Sequence, residues 1–346
     1  MTDPVRSDAA HVLASQASYL IGLAGRAPSV HNTQPWRFRI KEDSIELRAD
    51  VSRRLQVDPD GREMLISCGA ALYGLRLAIG SLGYRPVVEL LPKPGPGRLL
   101  ARVRLGHPEL MPGEKQKMLR AMSHRHTHRG PFEPEPLPTG LLESLRQDAE
   151  AEGAVLSVIG SEPARSELAT IVAAAAARQD SDRQARGEIW LWTRGPGSPA
   201  RDGVPAYAFP APSGYQPGRI PQRDFDLGRD IGGLTTDGPA AAVAAVLCTP
   251  GDDQCHWLRA GQALYRLLLR ASCRWVFADL NTQPLEEAVT RARITEALDL
   301  PGSPQMLLQL GVSRISRVTA RRSVADLTGP AAPTIDYGKS GPGRLT

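Results

Sequence analysis

The chain has 346 residues, 41% of them hydrophobic and 23% charged, which is ordinary globular usage and enough length for one large core or two smaller ones. A net charge of +5 is spread along the sequence with 5% aromatics and no recognition-helix, RNP-type or basic-arm pattern, so nucleic acid is set aside and a phosphate-bearing small molecule fits better. No basic start with an apolar run opens the chain and no segment reaches about 18 apolar residues, so a cytoplasmic protein without a membrane partner is expected.

A helix is expected over residues 11–26, where Val12, Ala14, Ala17, Leu20, Ile21 and Ala24 form a stripe, and Pro28 stops it by disfavouring helix at Ala27. The turn that follows, Ala27-Pro28-Ser29-Val30-His31-Asn32-Thr33-Gln34-Pro35-Trp36-Arg37-Phe38, crowds helix-stopping, polar and aromatic residues in a way core-building does not need. Ser29 and Asn32 can offer hydrogen bonds there to a planar, polar-edged ligand, while Pro35 and Trp36 stiffen the entry to a strand at 37–40. Helical spacing returns at 69–77, a strand ends at Gly106, and a helix covers 114–122.

Beyond these, helices are expected at 139–152, 164–178, 257–271 and 286–298, and strands at 155–159, 188–193, 240–248 and 305–312. The result is a mixed α+β pattern. Cys68, Cys248, Cys255 and Cys273 lie far apart or in non-ligand spacing and read as buried free thiols, which suits a reducing compartment. The stretch 195–221 is too rich in Pro and Gly for helix or sheet, yet Tyr207, Phe209 and Tyr215 give it apolar groups to pack, so it reads as a lid over a site or else as a flexible linker. Residues 331–346 read as a disordered tail.

The chain also echoes itself. Gly69 to Leu77 reads G-x-A-L-Y-x-L-x-L and recurs from Gly261 to Leu269, 192 residues later, and Val103 to Gly106 has a weaker echo at Leu308 to Gly311. Either two fold-alike halves share one chain, or two amphipathic helices happen to look alike.

Between the two copies of that helix pattern runs Ser123-His124-Arg125-His126-Thr127-His128-Arg129-Gly130. In an extended chain Arg125, Thr127 and Arg129 share one face and His124, His126 and His128 the other. Two guanidiniums flanking a hydroxyl suit a phosphate dianion. Three alternating histidines suggest zinc or copper, but no thiolate or carboxylate accompanies them and no metal is assigned; a basic solvated loop is the remaining reading. Arg321-Arg322 is a further basic pair. Residues 195–200 match G-x-G-x-x-A, but the prolines and the lack of a following helix argue against a dinucleotide turn, and no Walker A sequence, G-x-S-x-G elbow or zinc-type cysteine pairing occurs.

With the turn A-P-S-x-x-N-x-Q-P-W-x-F at 27–38, the R-x-T-x-R run at 125–129 and the basic pair at 321–322, the chain resembles the FMN-dependent nitroreductase family. In that family the basic run precedes the turn and holds the FMN phosphate, the turn meets the isoalloxazine ring, and the site lies between two subunits. Here the order is inverted. The resemblance therefore implies the Acg-type branch, a nitroreductase-like α+β fold with two similar halves fused as a pseudo-dimer: 7–115, and 116–330 with a lid insertion at about 195–232. The first half would supply Pro28, Ser29, Val30, Asn32 and Gln34, and the second Arg125, His126, Thr127, Arg129, Arg321 and Arg322. One FMN per chain follows, since the second half has Ala149 to Val155 where the turn motif would stand.

The implied activity is NAD(P)H-dependent reduction of nitroaromatic, quinone-like or related small-molecule acceptors, with NADH or NADPH as a transient hydride donor. The alternative is a flavin-sequestering protein whose lid leaves little turnover. No side-chain acid is assigned from the sequence, and a fused pair is compatible with a monomer.

Overall fold

The computed structural model describes residues 4–92, 99–209, 220–232 and 242–329, with side chains from residue 10 onward. The first part opens with α1 (Pro4–Ala24), whose Leu13, Ala17, Leu20, Ile21 and Ala24 are buried at helical spacing. The hairpin β1 (Trp36–Lys41) and β2 (Ser44–Ala49) follows, then α2 (Arg62–Ser81), β3 (Tyr84–Leu90), β4 (Leu99–Pro108) and α3 (Gly113–Ala121). The four strands form an antiparallel sheet in the order β1-β2-β4-β3.

The second part begins with α4 (Leu141–Glu150), β5 (Val155–Val158), α5 (Glu162–Ser181), α6 (Arg183–Trp192) and the short parallel pair β6 (Thr193–Arg194) and β7 (Val204–Pro205). It continues with β8 (Val243–Thr249), α7 (Gln254–Ser272), β9 (Val276–Asn281), α8 (Ala288–Ala297), β10 (Ser303–Val312) and α9 (Val324–Thr328). Its sheet is antiparallel in the order β5-β8-β10-β9. Each sheet thus runs first, second, fourth, third strand, with a long apolar helix between the second and the third.

Those two helices are packed against each other. A methyl group added to Gly69 would lie 2.2 Å from the carbonyl oxygen of Leu258, and one added to Gly261 would lie 1.9 Å from that of Ile66, so both positions require glycine for the backbones to meet. One turn further on, Tyr73 and Tyr265 stand edge to face with ring centres 6.2 Å apart. Through this crossing α7 sends Leu258, Tyr265 and Leu269 into the core under the first sheet, and α2 sends Ile66 into the core under the second. By length and apolarity alone α2 could cross a bilayer; here it is the buried centre of the molecule.

The expected elements fall on observed ones except at 188–193, where α6 replaces the expected strand. Ile189, Trp190, Leu191 and Trp192 imitate a strand, but Ala185, Ile189 and Trp192 are the buried set, and Asp182 accepts from Gln184 N at 2.8 Å to cap the helix. Only Thr193 and Arg194 are extended. Tyr215 and the 331–346 tail lie outside the described residues.

Candidate functional site

The polar turn between α1 and β1 has an unusual backbone. His31, Asn32 and Gln34 adopt φ of 45°, 56° and 51°, a region L-residues rarely occupy and one that persists only where surroundings over-determine it. The surroundings are polar and specific. Ser29 Oγ accepts from Gln34 N at 2.9 Å, Ser67 Oγ from Val30 N at 3.3 Å, and Asn32 Nδ2 donates to the carbonyls of Gly203 at 3.0 Å and Ala320 at 3.2 Å. Gln34 donates to Arg201 O at 2.8 Å and accepts from Arg322 N at 2.8 Å, while Arg322 Nη1 returns to Gln34 O at 3.1 Å. The turn is therefore stitched to the 201–203 segment and to the C-terminal 320–322 segment.

The arginine run lies along β9. His128 N donates to Ala278 O at 2.9 Å, and Thr127 pairs with the same residue. Arg125 is 3% exposed with its guanidinium 5.8 Å from the centre of the Tyr265 ring, and its Nε and Nη1 are buried without a hydrogen-bond partner among the described residues. Arg321 Nε is in the same condition, and burial together with the Arg125 charge pulls the Arg321 pKa down to about 9. Buried donors of like charge are costly unless an anion joins them.

The three histidines do not converge. His124 Nε2 bonds Ser272 O at 3.1 Å, His126 Nδ1 bonds His124 O at 3.2 Å, and His128 Nε2 bonds Pro131 O at 2.9 Å. His126 packs on Phe277 with ring centres 4.3 Å apart, and burial lowers its pKa to about 3. Among the described residues no group of three His, Cys, Asp or Glu side chains could hold a metal ion.

Turn and run meet at a cleft of about 780 Å³, part of it open to solvent. Pro28, Ser29, Val30 and His31 form one wall, and Thr127 and Arg129 another. Arg129 also lies over the Phe225 ring at 5.2 Å, and burial pulls its pKa to about 10 against the pull of Asp279. Of the expected site residues, Pro28, Ser29, Val30, Thr127 and Arg129 line the cleft; Arg125 is buried, and half-buried Arg321 feels its charge. Asn32, Gln34 and Arg322 knit the turn to its neighbours, and the His126 side chain packs away on Phe277.

Other lining groups were not anticipated. Arg223 donates to His31 Nε2 at 3.2 Å and pairs with Glu286, so His31 accepts and is neutral, in keeping with a pKa lowered by burial and by Arg223. Asp279 is raised to about 6 by burial, and Glu63 to about 8 by burial and the nearby Glu286. The only sequence signal for the last two was a carboxylate inside an otherwise apolar helix or strand.

No family model matches the chain. Among curated proteins, "Putative NAD(P)H nitroreductase Rv3131" of Mycobacterium tuberculosis is 36% identical over 303 residues, covering 86% of this chain and 85% of its own length. The chain belongs to the nitroreductase family. A second nitroreductase relative, "Putative NAD(P)H nitroreductase acg" of the same organism, is 28% identical over 296 residues, or 85% of this chain and 88% of the relative. Two solved nitroreductases are more distant. The FMN-bound protein of Desulfitobacterium hafniense has 11% identity and a TM-score of 0.37, covering 62% of this chain and 98% of its own. NfnB of Mycobacterium smegmatis, an FMN-dependent nitroreductase in complex with NADPH, has 16% identity and a TM-score of 0.38, covering 63% and 99%.

Proposed function

We propose that the protein is an FMN-binding, NAD(P)H-dependent oxidoreductase of nitroreductase type, with one composite flavin site per chain and nitroaromatic, quinone-like or related small molecules as acceptors. The observation that carries this reading is Arg125, buried with Nε and Nη1 unpartnered and close enough to half-buried Arg321 to lower its pKa, in the same short run as Thr127 and Arg129, which line the cleft. Such donors fit a phosphate dianion, and the polar wall of Ser29 and the 28–31 backbone suits the edge of a flat ring. When bound, FMN would supply hydride chemistry that no side chain here provides. The residues would do the rest: Arg125, Arg129, Arg321 and Thr127 hold the phosphate end, the turn orients the ring edge, and Gln34 with Arg322 keeps the turn in its strained backbone.

The matching strand orders and the reciprocal glycine contacts support a fused pair of nitroreductase-like halves, about 7–115 and 116–330, the site being built across them. Two asymmetries favour a single site. Helix α4 passes into β5 through residues 151–154, without a counterpart of the 27–38 turn. Tyr73, which corresponds to Tyr265 at the same offset, donates its hydroxyl to Met118 Sδ at 3.6 Å where Tyr265 meets Arg125.

A second reading, flavin sequestration with little turnover, is favoured by the insertion. Ile189, Val204, Ala206, Ala208, Phe209 and Phe225 form a small core of their own, and Arg223 and Phe225 line the cleft, as a cover would and a free linker would not.

Purified protein offered FMN, FAD and riboflavin tests both. FMN should bind about 10- to 100-fold tighter than riboflavin, the loss expected for charge-assisted phosphate contacts. Equal affinity would remove the phosphate assignment. Oxidation of NADPH or NADH that accelerates with a quinone or nitrofuran supports the enzyme, and bound FMN without turnover supports sequestration.

A further inference from the structure

We propose that Glu63 is the proton donor of this site, its Oε2 delivering a proton to the oxygen of an acceptor seated in the cleft. This rests on the oxidoreductase reading above. Glu63 opens an apolar helix, is 3% exposed and lines the cleft next to Ser67 and the 28–31 turn. It is not needed as a cap: Asp58 Oδ2 already accepts from Met64 N at 2.9 Å. Oε1 takes one long contact from Arg62 Nη2 at 3.4 Å, while Oε2 is buried without a hydrogen-bond partner among the described residues. A buried carboxyl oxygen left unpaired in a cleft calls for a functional explanation.

The charges around it come from several elements. Glu286 and Asp58 resist ionisation; Arg62 and Arg223 favour it, but Arg223 is paired with Glu286, and Arg62 also donates to Gln305 O at 3.0 Å and Leu285 O at 3.2 Å. Arg291 senses the same carboxyl and contacts Asp252 at 3.6 Å. Burial decides the balance, and Glu63 holds its proton up to about pH 8.

The other titratable groups on the cleft suit the role less well. Asp279 loses its proton above about 6 and accepts from Asn281 and Gln309 at 3.4 Å each. His31 is neutral with Nε2 accepting from Arg223. Arg129 stays charged at neutral pH.

For a quinone-type acceptor the step balances. Two electrons and one proton arrive as hydride, drawn from NAD(P)H through the flavin, and Glu63 breaks its Oε2–H bond to supply the second proton. A hydroquinone leaves, Glu63 remains as carboxylate, and water restores its proton.

Glu63→Gln keeps the side chain's shape and removes the acid; Glu63→Asp shortens the acid. In the FMN-loaded protein, anaerobic reduction by NADPH should be unchanged in both. Reoxidation by benzoquinone should slow by about 100-fold or more in Glu63→Gln, the range of general acid catalysis, with partial recovery in Glu63→Asp. The wild-type reoxidation rate should fall as pH rises through about 8, and Glu63→Gln should lose that limb. Infrared difference spectra of unloaded protein taken on either side of pH 8 should show a protonated-carboxyl band disappearing at high pH, and Glu63→Gln should abolish it.

Normal flavin uptake and reduction with a reoxidation rate indifferent to Glu63→Gln overturns the donor role alone, as does a band that survives the substitution. Protein that takes up no flavin overturns the reading beneath it, and the proposal with it.

Discussion

Gly69 and Gly261 occupy reciprocal places: each faces the carbonyl of the residue three positions before the other, Leu258 for Gly69 at 2.2 Å and Ile66 for Gly261 at 1.9 Å, as distances from an added methyl. The contact is reciprocal, as the proposed fusion of two similar halves would have it. The site depends on it, because α2 carries Glu63 and Ser67 to the cleft and α7 carries Tyr265 to Arg125.

Replacing either glycine by alanine should therefore destabilise the fold. Alanine gains about 1 kcal/mol in helix propensity, but a methyl group inside a backbone contact forces the helices apart, at a cost of about 1–3 kcal/mol or more. We expect a net loss in each single variant and a less-than-additive loss in the double, since one separation relieves both clashes. Urea unfolding of the four proteins measures it. Fully additive losses would argue against a shared crossing.

Neighbouring arginines should behave differently. Arg322 is bonded to Gln34 O in a half-buried contact and to the exposed Asp326 O at 2.9 Å, so Arg322→Ala should cost about 1 kcal/mol of stability, chiefly by leaving the Gln34 carbonyl unpaired. Arg321→Ala removes a charge held close to Arg125 and should spare the unloaded protein, while weakening FMN binding by about 10- to 100-fold. Thermal melts with and without FMN separate the two.

Gln34→Glu replaces a donor to Arg201 O with a carboxylate. The 201–203 segment should loosen, read as faster amide hydrogen exchange there with α7 unchanged. If the segment exchanges at the wild-type rate, Gln34 is not what holds it.

Stability should depend on pH through Glu63. Its carboxyl is raised from 4.5 to about 8, so across that interval the folded chain keeps a proton that the unfolded chain has released, and stability falls as pH rises toward 8, then levels off. Glu63→Gln should cancel that fall, its advantage over the wild type growing through the same window. Chemical denaturation at a series of pH values gives the difference directly.

The turn and the arginine run were legible in sequence because each packs several unusual residue types into a few positions. The likeness of 69–77 to 261–269 was legible because a helix crossing without side-chain spacers requires glycine at fixed phase in both helices. Glu63, Asp279 and Arg223 were not, since a single charged residue in an apolar helix, an apolar strand or an irregular loop carries no local pattern and gains its meaning from what folds against it. The motif alone reads Asn32, Gln34 and Arg322 as ligand contacts, and nothing in the sequence signals that their side chains also tie the turn to segments far away in sequence. The α6 region failed differently: its tryptophans alternate like strand residues, but Trp192 is buried and Trp190 exposed on a helix whose Ile189 enters the small core with Phe209 and Phe225.

The central claim is one composite flavin site made from both halves of the chain. Titrating flavin-free protein with FMN, followed by quenching of flavin fluorescence, tests it most directly. The account predicts saturation at one FMN per chain and a large loss of affinity in the Arg125→Ala, Arg129→Ala double variant; saturation at two per chain, or affinity unchanged in that variant, would contradict it.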